Sequence, residues 1–186
     1  MLNQITAIHG TGVAASTNSY ESIATVTVGV GGSASVSFSS IPSTYKHLQI
    51  RSILRSTAAA GPRALYLQIN SDTGNNYSVH TLSGSGSAAS AGAITSTNKI
   101  FIYDNPAANQ TSSVFSGQII DVLDYQNTNK YKTTRQLGGY DANGSGFIFF
   151  GSGLWQSTSA VTSLSFTLEA GDFAQYSSFA LYGIKG

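Results

Sequence analysis

The sequence predicts an all-β chain, a single-domain antiparallel two-sheet sandwich that is jelly-roll-like, with about ten strands and an N-terminal arm. Three observations carry this. Short runs with an apolar side chain at every second position recur along the 186 residues, the period of a strand with one buried and one wet face. Clusters of Gly, Pro, Asn, Asp and Ser separate the runs, as turns require. No amphipathic window of helical period extends beyond a single turn.

In chain order, residues 1 to 19 form the arm and residues 20 to 186 the sandwich domain. Leu2, Ile5 and Ile8 are spaced three apart ahead of Gly10-Thr11-Gly12. Two readings stay open: a loosely packed terminus, or an extension whose three aliphatic side chains make assembly contacts with a neighbouring subunit. From Ser22 the strand pattern begins. Ala24, Val26, Val28 and Val30 make one face, Gly31-Gly32 is a two-residue turn, and Ala34, Val36 and Phe38 alternate with serines on the return. That pattern predicts a β-hairpin. Ile41-Pro42 then breaks it, because proline cannot donate to a ladder.

Leu48, Ile50, Ser52 and Leu54 face one way and Gln49, Arg51, Ile53 and Arg55 the other, a half-exposed strand. Leu65, Leu67 and Ile69 predict the next buried face. Asn70 to Asn76 read as a tight polar turn, and Tyr77 to Leu82 as a short strand. Between Ser83 and Gly92 only Gly, Ser and Ala occur; such residues supply no core side chain, so the expectation is a mobile loop within the domain. Strands follow over Lys99 to Tyr103, Ser113 to Leu123, Tyr131 to Leu137 and Gly146 to Phe150. Phe147-Ile148-Phe149-Phe150 is apolar throughout and predicts a central position.

The last quarter of the chain is the most informative. Thr162, Leu164, Phe166 and Leu168 alternate with Val161, Ser163, Ser165 and Thr167, and Gly171-Asp172 supplies a turn. Ala180, Tyr182 and Ile184 then alternate with Phe179, Leu181 and Gly183, so both faces are largely apolar and the strand belongs inside a sheet. A closing strand of that kind predicts insertion between strands contributed much earlier, through Greek-key connections.

Composition narrows the function classes. A chain of this length buries a core without staples. Zero cysteines removes disulfides, thiol catalysis and thiolate metal sites together. No basic n-region and apolar h-region open the chain and no membrane-length apolar run occurs, so the expectation is a soluble protein without conventional secretion or membrane partners. Charged residues are 9% of the chain, against about 25% in ordinary globular domains. The net charge of +1 is too weak to hold nucleic acid. Lysines usually keep sheet edges from pairing with strangers, so a β-protein with so few charges is expected to work inside an assembly.

The candidate sites are thin. Asp72-Thr73-Gly74 has the letters of an aspartic protease signature, but its Asn- and Ser-rich setting reads as a reverse turn. His9, His47 and His80 lie far apart, with no zinc-ligand spacing. Asp121 and Asp124, with Asp104 or Asp141, could gather oxygens for calcium, although positions three apart in a strand face opposite ways. Lys130-Tyr131-Lys132-Thr133-Thr134-Arg135 is the one basic cluster with an aromatic, and strand alternation divides its charge between faces. Trp155, Tyr125 and Tyr131 are the candidates for stacking on a sugar, with burial in the core as the competing use. No nucleophile elbow, phosphate loop or zincin motif is present. The expectation is a non-enzyme without cofactor or metal.

Three segments together resemble a known group. Ile41-Pro42-Ser43-Thr44-Tyr45-Lys46-His47-Leu48-Gln49-Ile50-Arg51, the turn from Ile69 to Ser78, and Ser178-Phe179-Ala180-Leu181-Tyr182-Gly183-Ile184 are similar to small virion proteins of tailed bacteriophages, common in aquatic and cyanobacterial phages. The resemblance implies a structural virion component and no catalytic residue. With the sparse charge and the arm, the expectation is a capsid decoration (cement) protein on the outer head, a homo-oligomer, specifically a trimer, whose partner is the major capsid protein. The alternative is a receptor- or carbohydrate-binding module at the tail.

Overall fold

The computed structural model describes residues 19–186, and every regular element among them is a strand. There are twelve: β1 (Tyr20–Thr27), β2 (Ser35–Phe38), β3 (His47–Leu54), β4 (Arg63–Ile69), β5 (Tyr77–Gly84), β6 (Ala89–Thr97), β7 (Ile100–Asn105), β8 (Ser116–Val122), β9 (Lys132–Asp141), β10 (Gly146–Trp155), β11 (Leu164–Leu168) and β12 (Ser178–Ile184). They form an eight-stranded sheet in the order β1-β12-β3-β8-β9-β10-β5-β6 and a four-stranded sheet in the order β2-β11-β4-β7. All pairings are antiparallel.

Setting β5, β6, β9 and β10 aside, β1 pairs β12, β2 pairs β11, β3 pairs β8 and β4 pairs β7. That is one long hairpin rolled over itself, the jelly-roll scheme. The remaining hairpins, β5–β6 and β9–β10, enlarge only one sheet, so four strands face eight. β12 lies between β1 and β3, with Ile184 opposite Tyr20 on one side and His47 on the other. The insertion predicted from its two apolar faces is therefore present.

The core lies between the sheets. Leu48, Ile50 and Leu54 of β3, Ile120 and Val122 of β8 and Leu181 of β12 meet Leu65, Leu67 and Ile69 of β4, Ile100 and Ile102 of β7 and Leu164 of β11. Phe179 links the layers, its ring 5.3 Å from Phe166 and 5.0 Å from Phe173. Each fully buried large side chain of this kind contributes about 1.5–3 kcal/mol relative to exposure.

Two expectations are corrected. Gly31-Gly32 does turn the chain, with both glycines at positive φ (92° and 80°), yet β1 and β2 do not pair with each other. β1 joins β12 and β2 joins β11, so the turn carries the chain from one sheet to the other. Alternation identified the buried Val36 and Phe38 but says nothing about which strand lies alongside. The expected loop at Ser83 to Gly92 is instead the end of β5, a four-residue turn and the start of β6, and the hairpin brings the strand number to twelve. β6 sits at a sheet edge, exposed along most of its length. An edge strand needs only backbone donors and acceptors, and side chains without core value do not prevent that pairing.

Candidate interaction surface

The small sheet packs against the inner face of the large one, and among the described residues nothing covers the outer face. On β3 the outward positions are His47, Gln49, Arg51 and Ile53; on β8, Gly117, Ile119 and Asp121. Cross-strand register arranges these positions in rows that run perpendicular to the strands. One row reads Arg51, Ile119, Leu137, Phe150, Leu82 and Ala91 across β3, β8, β9, β10, β5 and β6. The neighbouring row reads Ile53, Gly117, Gly139, Ile148, Gly84 and Ala89 on the same strands. The first is built mainly of large side chains, the second largely of glycine and alanine.

Six of the nine exposed large hydrophobic side chains of the described residues lie in these two rows: Ile53, Leu82, Ile119, Leu137, Ile148 and Phe150. Their exposures run from 39% to 61%, so together they present on the order of 600 Å² to water, at the top of what a free monomer tolerates in one patch. Arg51 is the one charge within the rows. Where the glycines sit the surface dips. A depression of ≈ 650 Å³ lies beside Ile148 against Gly84, Gly139 and Gly146, and another of ≈ 480 Å³ lies between Ile53, Gly117, Ile119 and Leu137. Gly139 is required there for space, since a Cβ would stand 2.2 Å from the Phe147 carbonyl oxygen.

A third row is polar. Gln49 donates from Nε2 to Asp121 at 2.8 Å and accepts from Arg51 Nε at 3.0 Å and from the Tyr20 hydroxyl. Arg135 donates to the other Asp121 oxygen at 3.1 Å. The Arg51 guanidinium lies over the rings of Tyr20 and Tyr182, 5.4 and 5.8 Å from their centroids. These planar side chains hold one another in place, giving the apolar rows a pre-organised polar border.

The residues singled out by sequence fall elsewhere. Leu2, Ile5, Ile8 and His9 lie outside the described residues. Trp155 is 2% exposed and Tyr125 is fully buried, which corrects their candidacy as stacking faces for a sugar: neither ring has a free face. Trp155 donates from Nε1 to Asp72 at 2.7 Å and stacks on Tyr77. The Tyr125 hydroxyl donates to the Pro42 carbonyl. Tyr131 is half exposed. The Asp72-Thr73-Gly74 triplet is a turn, with Asp72 accepting from the Gly74 amide at 2.8 Å and from the Asn76 amide group. Donation from Trp155, Asn76 and Gly74 holds its pKa below the usual carboxylate value.

The basic cluster divides differently from the expectation. Lys132 is buried, its ammonium donating to the carbonyls of Asn127 at 2.7 Å, Lys130 at 3.0 Å and Thr158 at 3.1 Å. Desolvation lowers its pKa. Lys130 instead pairs with Asp124, which Lys46 also approaches at 3.1 Å; the two ammonium groups bring the Asp124 carboxyl down to about 2. Arg55 is a second buried cation without an acid, donating to the carbonyls of Ala107, Gln110, Thr111 and Val114 at 2.7–2.8 Å. Both cations anchor loops. Among the described residues no group of three His, Asp or Glu is placed to hold a metal ion, and no helix is long and apolar enough to cross a membrane.

The outer apolar rows have one signal in the sequence. Phe147 to Phe150 is apolar at both parities, and β10 has the central position this predicts, but of the four only Phe149 is buried while Ile148 and Phe150 stand outward. Compared with known proteins, the chain matches no family model, no curated protein and no solved structure.

Proposed function

We propose that this chain is a structural virion protein of a tailed bacteriophage, a capsid decoration protein that acts through surface contact and turns over no substrate. The observation that carries the structural part is the open apolar face of the eight-stranded sheet, whose six half-exposed side chains gain most when covered by another surface. The virion part rests on the resemblance of three segments. Two of them fall on β3 and β12, which are neighbours in that same sheet, beside its β1 edge. A protein of this kind opposes internal pressure by adding interface between major capsid protein subunits, and modest contacts repeated over many copies sum through multivalency.

The arm, with Leu2, Ile5 and Ile8, is proposed as the segment that grips the capsid. Deleting residues 1–18 is expected to release the protein from heads while the far-UV spectrum stays that of a β-protein; unchanged occupancy of heads refutes the assignment. Copy number decides between head and tail. Hundreds of copies per particle support decoration, whereas a handful support the receptor-binding reading, for which Tyr131 and Tyr176 are the most exposed tyrosines among the described residues.

A further inference from the structure

The open face invites the question of what covers it, and the register of the sheet contains an answer. We propose that a second copy of this chain covers it, in a two-fold dimer packed face to face through the outer surface of β8, β9, β10 and β5. The inference rests on reading this face as a contact surface, and is independent of which particle the protein serves.

The argument begins with size. A stable interface needs about 800 Å² from each partner. The six apolar side chains supply most of it, and the glycines, alanines and polar border supply the rest. Self-association also meets little electrostatic resistance, because the chain carries a net charge of only +1 and the two apolar rows hold a single charged residue.

Shape then selects the partner. The row of large side chains and the row of small ones are adjacent, two residues apart along every strand, about 6.8 Å. An in-plane two-fold axis running between the rows and parallel to them exchanges the two. It sets the large row of each copy over the small row of the other while leaving every strand opposite its own counterpart. Leu82 then faces the partner's Gly84, Leu137 faces the partner's Gly139, and Ile119 faces the partner's Gly117, the cross-strand positions being those observed. On β10 Phe150 meets the partner's Ile148, an apolar pair at the centre. One operation fills three dips with three projections on both copies at once, which is the self-complementarity an isologous contact demands. An unrelated flat surface would satisfy the apolar area but would have no reason to match this alternation.

Gly117 provides a clean test. A Cβ there meets nothing within 4 Å in the single chain and its φ is not positive, so Gly117→Thr suits an isolated strand better than glycine does. In the dimer the added side chain occupies the space assigned to Ile119 of the other copy. Sedimentation equilibrium of the full chain is expected to show a dimer at micromolar concentration. Gly117→Thr should weaken it at least tenfold without lowering the thermal midpoint extrapolated to the monomer, and Leu137→Lys should abolish it. A wild-type chain that stays monomeric at 100 µM overturns the proposal, as does an oligomer, including a trimer, that ignores Gly117→Thr and Leu137→Lys. Dimers that form only after residues 1–18 are removed would assign the face to the arm and overturn it equally. Head occupancy measured on the same variants reports separately on the decoration role.

Discussion

Tyr77 is fully buried at the start of β5, and its hydroxyl accepts from the Ile69 amide at 3.1 Å while facing the carbonyl oxygens of Ile69 and Asp72. Burial raises its pKa to about 12. A phenol that titrates near 10 when unfolded and near 12 when folded gives stability that is complete below pH 10 and is lost as pH rises to 12. The size is on the order of 2 kcal/mol. Urea unfolding between pH 9 and 12 should show that fall, and Tyr77→Phe should flatten it. At neutral pH the same substitution is expected to cost about 1–3 kcal/mol, because the Ile69 amide loses its acceptor. The Asp72–Trp155 bond gives a second residue-level prediction. The folded pKa of Asp72 is lowered, so its contribution is present above the ordinary carboxylate value and lost as pH falls through the folded one. Trp155 is the sole tryptophan, so an acid titration of indole fluorescence should change below about pH 3.8. Asp72→Asn should remove that step; a transition that persists in the variant would disconnect it from Asp72.

The strands differ sharply in how well they are held. β3, β8 and β12 have covered inner faces and neighbours on both sides, whereas β6 has one neighbour and is exposed along most of its length. Local opening is easiest where few buried contacts resist it. Hydrogen exchange should therefore find the amides of β6 the least protected of any strand, ahead of those at the other edge, β1, where Ile23, Ala24 and Val26 pack on the core. Protection in β6 equal to that in β3 would contradict this. The β5–β6 hairpin also shows the limit of composition: Ser, Gly and Ala are what a loop is made of, but an edge strand lying on a ready-made ladder needs nothing more.

For the molecule as a whole, the rolled-up hairpin makes the last strand indispensable. β12 supplies Phe179 and Leu181 to the core and is the link between β1 and β3. Deleting residues 178–186 should abolish cooperative unfolding, read by near-UV dichroism and by a denaturant transition; a variant that still unfolds in one sharp step would mean that β1 and β3 can close without it. Because β1–β12 and β2–β11 join residues far apart in sequence, folding should be slow, in the millisecond-to-second range of chains dominated by non-local pairing.

Much of the architecture was legible because alternation reports burial directly. Val36, Phe38, Leu48, Leu67, Phe166 and Leu181 are inside, as the two-residue period requires, and a strand apolar on both faces belongs inside a sheet, as β12 does. The burial of Lys132 was not legible, because a lysine in an alternating run looks solvated until three carbonyls from two loops converge on it. Nor was the face of the large sheet: Ile119, Leu137, Phe150 and Leu82 are separated in sequence and become one row only through register. Sequence by itself settled the class of element and the residues that line the core, since both follow from local period and side-chain hydrophobicity. Tertiary structure alone decided which strands lie side by side and hence which outward side chains form a common surface, because pairing partners are selected by long-range fit and no local pattern encodes them.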